Sequence, residues 1–473
     1  MITFICCIAF LIVGYIFYGG FVEKIFAPDE RTTPAIEIND GVDCVPMKTW
    51  KAFLIQLLNI AGPGPIFGAL MGAVFGPIAF LWIIFGSVLG GAVHDYMSGM
   101  ISERHSGQSV AELSGVYLGN TAKYIVRVFT LILLILAGTV LVTSPAALLS
   151  ILTPEILGTN FWTAVILIYY VLATLLPIDK IIGRLYPIFG IALILMAVGI
   201  ICGIIFMPDR SLPEMQLKNL DPEGVPAFPF MFVTIACGAV SGFHATQSPM
   251  IAKCITSEKA GRVVFYGAML TESVIALIWA SVGIAYYGTT SGLSEALENF
   301  GQAGVVYEIS TGLLGKVGGL LAIAGVIICP ITSGDTAFRS IRLIIAEWIG
   351  LEQKSVKNRL KITVPLLIIG VFITQLDFDV LWRYVSWSNQ TIAMMSLWVA
   401  TAYLLKKNKV YSFVTAIPAS FMSAVSVTYI LMADEGFRIS ASIAYPCGIV
   451  FAVGCFAFYI YRFLKNSAFK KAV

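Results

Sequence analysis

Apolar runs of about 18 residues or more, each long enough to cross hydrocarbon as a helix, recur from Ile2 to Leu464. A backbone inside a bilayer has no water to bond, so such runs must be helical, and the chain reads as an all-α polytopic membrane protein. Composition agrees: 58% hydrophobic against 12% charged residues leaves too few charges to cover a soluble globule of 473 residues. Cys6, Cys7, Cys202, Cys237, Cys329 and Cys455 sit inside apolar runs without CxxC or CxxxH spacing. They read as small buried hydrophobes rather than a metal cluster.

Ile2 to Val22 has no basic residue ahead of it and reads as a retained first span, followed by a polar linker from Glu23 to Lys48. Trp50 to Phe75 is the next span, with Ala61-Gly62-Pro63-Gly64-Pro65 in its middle. Proline removes a helix donor and glycine weakens a helix, so two half-helices are expected. Gly76 to Met100 crosses back and ends in His94-Asp95-Tyr96, expected near the cytoplasmic interface, and the polar stretch Ser102 to Lys123 lies along the surface. Tyr124 to Leu152, Phe161 to Leu176 and Tyr186 to Met207 follow, then a polar loop.

Phe228 to Cys254 (FPFMFVTIACGAVSGFHATQSPMIAKC) is a second broken span, interrupted from Gly238 to Pro249. Polar, helix-breaking sequence at membrane depth is tolerated only where it is buried in protein or lines a cavity. Val263 to Tyr287 carries Glu272, a glycine-rich connection runs to Gly312, and Leu313 to Phe338 ends in Thr332-Ser333-Gly334-Asp335. Ser340 to Leu351 reads as an interfacial amphipathic helix with Arg342 on its polar side. Spans near Ile362 to Leu376, Val380 to Leu405, Tyr411 to Met432 and Ile439 to Leu464 bring the total to about thirteen crossings.

If successive loops alternate sides, one side collects most of the basic residues, among them Lys48, Lys51, Arg104, Lys123, Lys180, Arg184, Lys253, the run Arg339 to Lys361, Lys406, Lys407, Lys470 and Lys471. The other holds Arg210, Lys218, Lys316 and Arg438, with Arg383 near a span end. The positive-inside rule makes the first side cytoplasmic, with the N-terminus out and the C-terminus in. The first broken helix then runs outward and the second inward, about five spans later, which indicates an inverted repeat. The expected organisation is residues 1–22 as an extra helix, 23–49 a cytoplasmic linker, 50–207 the first five-helix repeat, 208–227 an extracellular loop, 228–405 the second, inverted repeat, and 406–473 two C-terminal helices and a tail.

In transporters of this construction the site lies between the two breaks. Gly62 and Gly64 would let a ligand approach the backbone, and freed carbonyls near Ala61 would coordinate a cation. Freed N–H groups near Ser241, Gly242 and Phe243 would hold a carboxylate, with His244 and Gln247 donating and Asn389 and Gln390 completing the substrate-facing set. The bland alternative for the glycines is close helix packing. Thr332, Ser333 and Asp335 supply hard oxygen ligands for Na⁺, or a carboxylate for a proton; an Asp335–Arg339 pair one turn apart is the structural alternative. His94, Asp95, Glu272 and Arg383 are candidates for gating or proton relay, against structural hydrogen bonding and interfacial anchoring.

NIAGPGPIFGALMGAVFGPIAFLW, GGAVHDYMSGM, CGAVSGFHATQSPMIAKC, ITSGDTAFRSIRL and LWRYVSWSNQTIA, in that order from Asn59 to Ala393, resemble the signature blocks of the carbon starvation protein A (CstA) family. The resemblance implies a secondary transporter related to the amino acid–polyamine–organocation superfamily, with a LeuT-like five-plus-five core in a prokaryotic inner membrane. It also implies uptake of pyruvate or small peptides. The chain is shorter than many relatives, so roles tied to longer C-terminal regions are not carried over.

The expected function is import of a small anionic or zwitterionic substrate coupled to H⁺ or Na⁺, with pyruvate first and di- or tripeptides second. No organic cofactor and no nucleic-acid partner is expected. A channel would want a continuous polar stripe, and no HExxH or GxSxG motif supports an intramembrane enzyme.

Overall fold

The computed structural model describes residues 1–154, 156–175, 178–207, 210–376 and 378–471. Leu176 and Pro208 of the sequence reading, and the side chains of Lys180, Arg184, Lys470 and Lys471 in the charge argument, lie outside what it describes. Regular structure among the described residues is helical, apart from an isolated bridge between Met47 and Ile255.

In chain order, α1 spans Ile2–Phe26, and a first broken helix is formed by α2 (Thr49–Ile60) and α3 (Gly64–Ala73), bent by 48°. Then come α4 (Ile78–Arg104), α5 (Val110–Leu118), α6 (Asn120–Leu152), α7 (Thr159–Leu175) and α8 (Ile178–Ile205). The second broken helix is α9 (Ala227–Thr234) with α10 (Gly242–Ala252), and α11 spans Glu258–Tyr287. The rest are α12 (Thr290–Ile323), α13 (Cys329–Ile349), α14 (Val356–Ile373), α15 (Phe378–Lys407), α16 (Phe413–Met432) and α17 (Ala441–Lys471).

Seven of these helices, or eight with the bent pair, are long and apolar enough to cross a membrane. Phe17, Ile168, Ile188, Phe372, Val450 and Phe458 point outward, the arrangement expected where lipid replaces water. The protein is therefore a multi-helix membrane protein.

Three details differ from the sequence reading. The second break covers residues 235–241, with Gly238 at φ +95°, and His244 to Pro249 are already helical. Thr246 and Ser248 bond back to the carbonyls of Phe243 and His244, so local polar residues support that turn rather than opening it. The glycine-rich connection is helix too: only Gly301 and Gly315 take positive φ within α12, while Val305, Val306 and Ile309 between them are buried. Finally, α13 runs unbroken from Cys329 to Ile349, and Arg342 is buried rather than interfacial.

Packing divides the helices into two apolar cores. One gathers side chains of α1, the first broken helix, α4, α9, α11 and α16. The other gathers α6, α7, α13 and α14. Residues of α10 and α15 contribute to both, so the second broken helix lies along the seam.

Candidate functional site

The two breaks face each other because glycine lets them. A Cβ on Gly64 would stand 2.5 Å from Cys237 Sγ, one on Gly68 2.8 Å from Thr234 O, and one on Gly238 2.5 Å from Ala276 Cβ. All are well inside van der Waals separation, so these glycines are required by contact between the broken helices and α11. A Cβ on Gly242 would likewise meet the Asn389 and Ala393 backbone of α15. Gly62 alone is looser, its Cβ position 3.1 Å from Ser333 Oγ.

At the second break, the N-terminus of α10 is capped from another helix. Asn389 Oδ1 accepts from Phe243 N at 2.6 Å and from Ser241 Oγ at 3.1 Å, taking the place a substrate carboxylate was expected to fill. Gln390 donates to Phe232 O at 3.2 Å, which ties α15 to the other half-helix, and Gln247 donates to Thr246 Oγ1 at 2.9 Å.

At the first break, α13 serves the freed carbonyls. Cys329 Sγ donates to Ala61 O at 3.1 Å and Ser333 Oγ to Leu58 O at 3.1 Å. The residues proposed for a coupling cation thus converge, Ala61 beside Cys329 to Ser333. Asp335 stands apart from them: its Oδ2 accepts from Tyr186 OH at 3.0 Å, and the same hydroxyl lies 3.2 Å from Thr332 O. Arg339 turns away from Asp335, toward Ala173 O and Asp43, so the anticipated helix-end pair is replaced by longer-range partners.

The strongest polar feature lies between α4, α10 and α11. Asp95 bridges two imidazoles, with Oδ1 2.8 Å from His94 Nδ1 and Oδ2 2.8 Å from His244 Nδ1. His244 Nε2 points at Glu272 Oε2, 3.3 Å away. All four side chains are buried, and neither Glu272 oxygen forms a hydrogen bond. His94 and Asp95, expected near the cytoplasmic surface, belong to this interior network. Two carboxylates and two imidazoles are thus buried together, and Glu272, without a hydrogen bond of its own, faces His244. Cys237, His244 and Glu272 also place S, N and O donors within 4.8 Å of one another, the donor types of a borderline divalent cation.

Beside the network, Ile60, Gly62, Gly64, Cys237, Phe243, Ser333, Trp382 and Asn389 enclose a cavity of about 50 Å³. It therefore holds residues of both breaks, α13 and α15. Arg383 follows the lining residue Trp382 but is itself outside the lining, half-exposed and 3.4 Å from Glu435.

Sequence reasoning missed Tyr186, Cys329, Asn59 as an unpartnered buried carboxamide, and the Ser87–Ser273 bond of 2.7 Å that holds α4 to α11. Cys237, four residues before Ser241, carried the one local signal: a thiol inside a glycine-flanked break.

Two discontinuous helices that meet over a buried polar centre, between two separately packed helix groups, make up a LeuT-type fold. Solved structures share that fold: a mutant of the Eremococcus coleocola manganese transporter superposes with a TM-score of 0.53 at 14% identity, covering 91% of this chain and 98% of that one. MhsT in complex with L-phenylalanine gives 0.53 at 13% identity, over 87% and 98%.

The family profile of carbon starvation protein CstA matches residues 1–154 and 150–287, and the chain belongs to that family. It is 43% identical over 349 residues to an uncharacterized membrane protein of Haemophilus influenzae, 63% of this chain and 94% of that one. It is 26% identical to the peptide transporter CstA of Campylobacter jejuni in an alignment covering 94% of this chain and 82% of that one. With the pyruvate/proton symporter BtsT of Escherichia coli it shares 28% identity over 374 residues, 63% of this chain and 52% of that protein.

Proposed function

We propose that the chain imports pyruvate or a similar small carboxylate together with a proton, by alternating access. The observation that carries this reading is the buried Asp95–His244–Glu272 series, whose two carboxylates share one imidazole beside the paired breaks. Protonation neutralises the series, and its loss restores a charge that the surrounding helices must re-solvate or pair; that difference is what couples an ion to a change of packing. The name of the Escherichia coli relative, a pyruvate/proton symporter, supports the same ion and substrate.

The cavity between the breaks is the proposed substrate space. Gly62, Gly64, Ser241, Gly242, Phe243, His244, Gln247, Asn389 and Gln390 border or support that space in this reading. Asn389 yields the N-terminus of α10 to the incoming carboxylate. Ala61, Thr332 and Ser333 form the alternative cation position, with Asp335 linked to it through Tyr186 and Thr332, and Arg383 with Glu435 fastens the outer end of α15.

The membrane arrangement proposed is thirteen crossings, N-terminus out and C-terminus in, with repeats 50–207 and 228–405 and the linker 23–49 on the cytoplasmic side. The group α6, α7, α13 and α14 moves against the group containing the first broken helix, exposing the seam to each side in turn.

Peptide import is the second reading, favoured by the Campylobacter jejuni peptide transporter, which aligns with 94% of this chain. Uptake of labelled pyruvate into proteoliposomes, under separate proton and sodium gradients and with unlabelled dipeptides as competitors, decides between them. Proton-driven uptake that resists peptides is the expected result. Peptide competition with peptide counterflow would replace pyruvate, and sodium-driven uptake would move coupling to Ala61 and Ser333.

A further inference from the structure

Away from the breaks, three arginines are buried where the linker ahead of α2 meets α13 and α14. Arg339, Arg342 and Arg359 are 2%, 0% and 4% exposed. Each spends one nitrogen on a neutral oxygen: Arg339 Nη2 on Ala173 O and Arg359 Nη1 on Thr174 O, both at 3.1 Å, and Arg342 Nη1 on Gln353 Oε1 at 2.6 Å. The carboxylate beside them is Asp43. Its Oδ1 lies 3.8 Å from Arg339 Nη1 and 3.7 Å from Arg342 Nη2, too far for a hydrogen bond to either.

What remains is a set of buried donors with nothing to donate to. Arg339 Nε and Nη1, Arg342 Nε and Nη2, and Arg359 Nε have no hydrogen-bond partner, nor does Asp43 Oδ1. Three guanidinium charges face the single charge of Asp43, and Asp335, one turn before Arg339, is already engaged by Tyr186. Even with Asp335 counted, positive charge is in excess. Buried charge is ordinarily paired, and the planar guanidinium fork matches an oxyanion. A cavity of about 280 Å³, lined by Asp40, Asp43, Glu347, Lys253, Ser340 and Gln353 among others, runs beside the cluster and gives a ligand a way in, past carboxylates that add to the weakness of anion binding.

We propose that Arg339, Arg342 and Arg359 form an oxyanion-binding site, separate from the centre between the breaks, in which a carboxylate or phosphate group bridges Arg339 and Arg342 next to Asp43. Asp43 is then a tuning group: it shares the guanidinium charge and repels the incoming anion, which keeps the site weak and reversible. The site does not depend on what the central cavity carries.

The test is calorimetric titration of the purified, detergent-solubilised full chain with pyruvate and with inorganic phosphate separately, at constant ionic strength in chloride. At least one oxyanion binds; Arg342→Gln weakens it tenfold or more; Asp43→Asn, which is nearly isosteric, tightens it severalfold; and Arg438→Gln, an exposed arginine away from both centres, retains it. Pyruvate binding that Arg342→Gln weakens assigns the site to carboxylates, phosphate binding that it weakens assigns it to phosphate groups, and binding that Arg342→Gln leaves untouched overturns the proposal. Failure of both anions to bind overturns the proposal, as does binding that Asp43→Asn weakens or leaves unchanged. Because that variant keeps the side chain's shape, the sign of its effect remains a test even where Arg342→Gln does not fold.

Discussion

Gly64→Ala probes the contact on which the paired breaks depend. The added methyl would stand 2.5 Å from Cys237 Sγ, while the Cys237 Cα, at 3.9 Å, remains clear. Carbon and its non-bonded neighbours settle about 3.5–4.0 Å apart, so the two breaks must separate by roughly 1 Å. Overpacking of this kind costs about 1–3 kcal/mol. A displacement of that size at a binding centre costs on the order of a hundredfold in rate. Thermal unfolding of the purified protein and initial uptake rates in proteoliposomes measure the two effects. The second variant of the cycle is Cys237→Gly, which removes the opposing side chain. In that background Gly64→Ala should lose most of its penalty, an interaction energy on the order of 1 kcal/mol or more. Gly64→Ala with the melting temperature and uptake of the unmodified chain would refute the argument. So would an equal penalty in both backgrounds.

Two further expectations follow from partners named above and near them. Asn389→Ala strips the cap from Phe243 N and should cost about 1–3 kcal/mol by thermal unfolding, while Asn389→Asp, which keeps the acceptor, recovers much of it. Arg104 binds Glu258 through Nε at 2.7 Å and Nη2 at 2.8 Å and also reaches Tyr403 OH at 2.7 Å; Arg104→Gln leaves Glu258 with the longer Arg31 contact of 3.3 Å and the Asp29 N–H, and should cost about 1.5–3 kcal/mol, and Arg104→Lys, lacking the fork, should not fully restore it. Retention of wild-type melting in Asn389→Ala or Arg104→Gln would contradict these accounts.

Local chemistry made the breaks legible. Gly62, Pro63 and Gly64 cannot continue a helix well, and a cluster of that kind at membrane depth has few structural explanations. The extent of the second break was harder, because Thr246, Ser248 and Pro249 read as breakers while Thr246 and Ser248 bond to the helix's own carbonyls. The Thr290 to Gly312 segment misled for the opposite reason: its glycines suggested a loop, yet burial of Val305, Val306 and Ile309 holds most of it helical.

What the sequence concealed is long-range. Asp95 and His244 are 149 positions apart and meet at 2.8 Å, a contact that nothing local to either residue specifies. Arg339 and Arg342 followed the ordinary pattern of a charged helix face. Their burial depends on Asp43 and on carbonyls at the end of α7, contributed by segments far away in the chain. The orientation argument needed only the distribution of Lys and Arg, whereas the partner of each charge needed the packed structure.

The central claim is that the Asp95–His244–Glu272 series carries the proton that accompanies the substrate. Its most direct measurement is proton entry during pyruvate uptake, followed with a pH-sensitive dye inside proteoliposomes and normalised to labelled pyruvate taken up, for the unmodified chain and for Glu272→Gln. The account expects a proton to enter with each pyruvate in the unmodified protein, and the ratio to collapse toward zero on whatever uptake Glu272→Gln retains. Pyruvate uptake without acidification in the unmodified chain would contradict it, and so would an undiminished ratio in the variant.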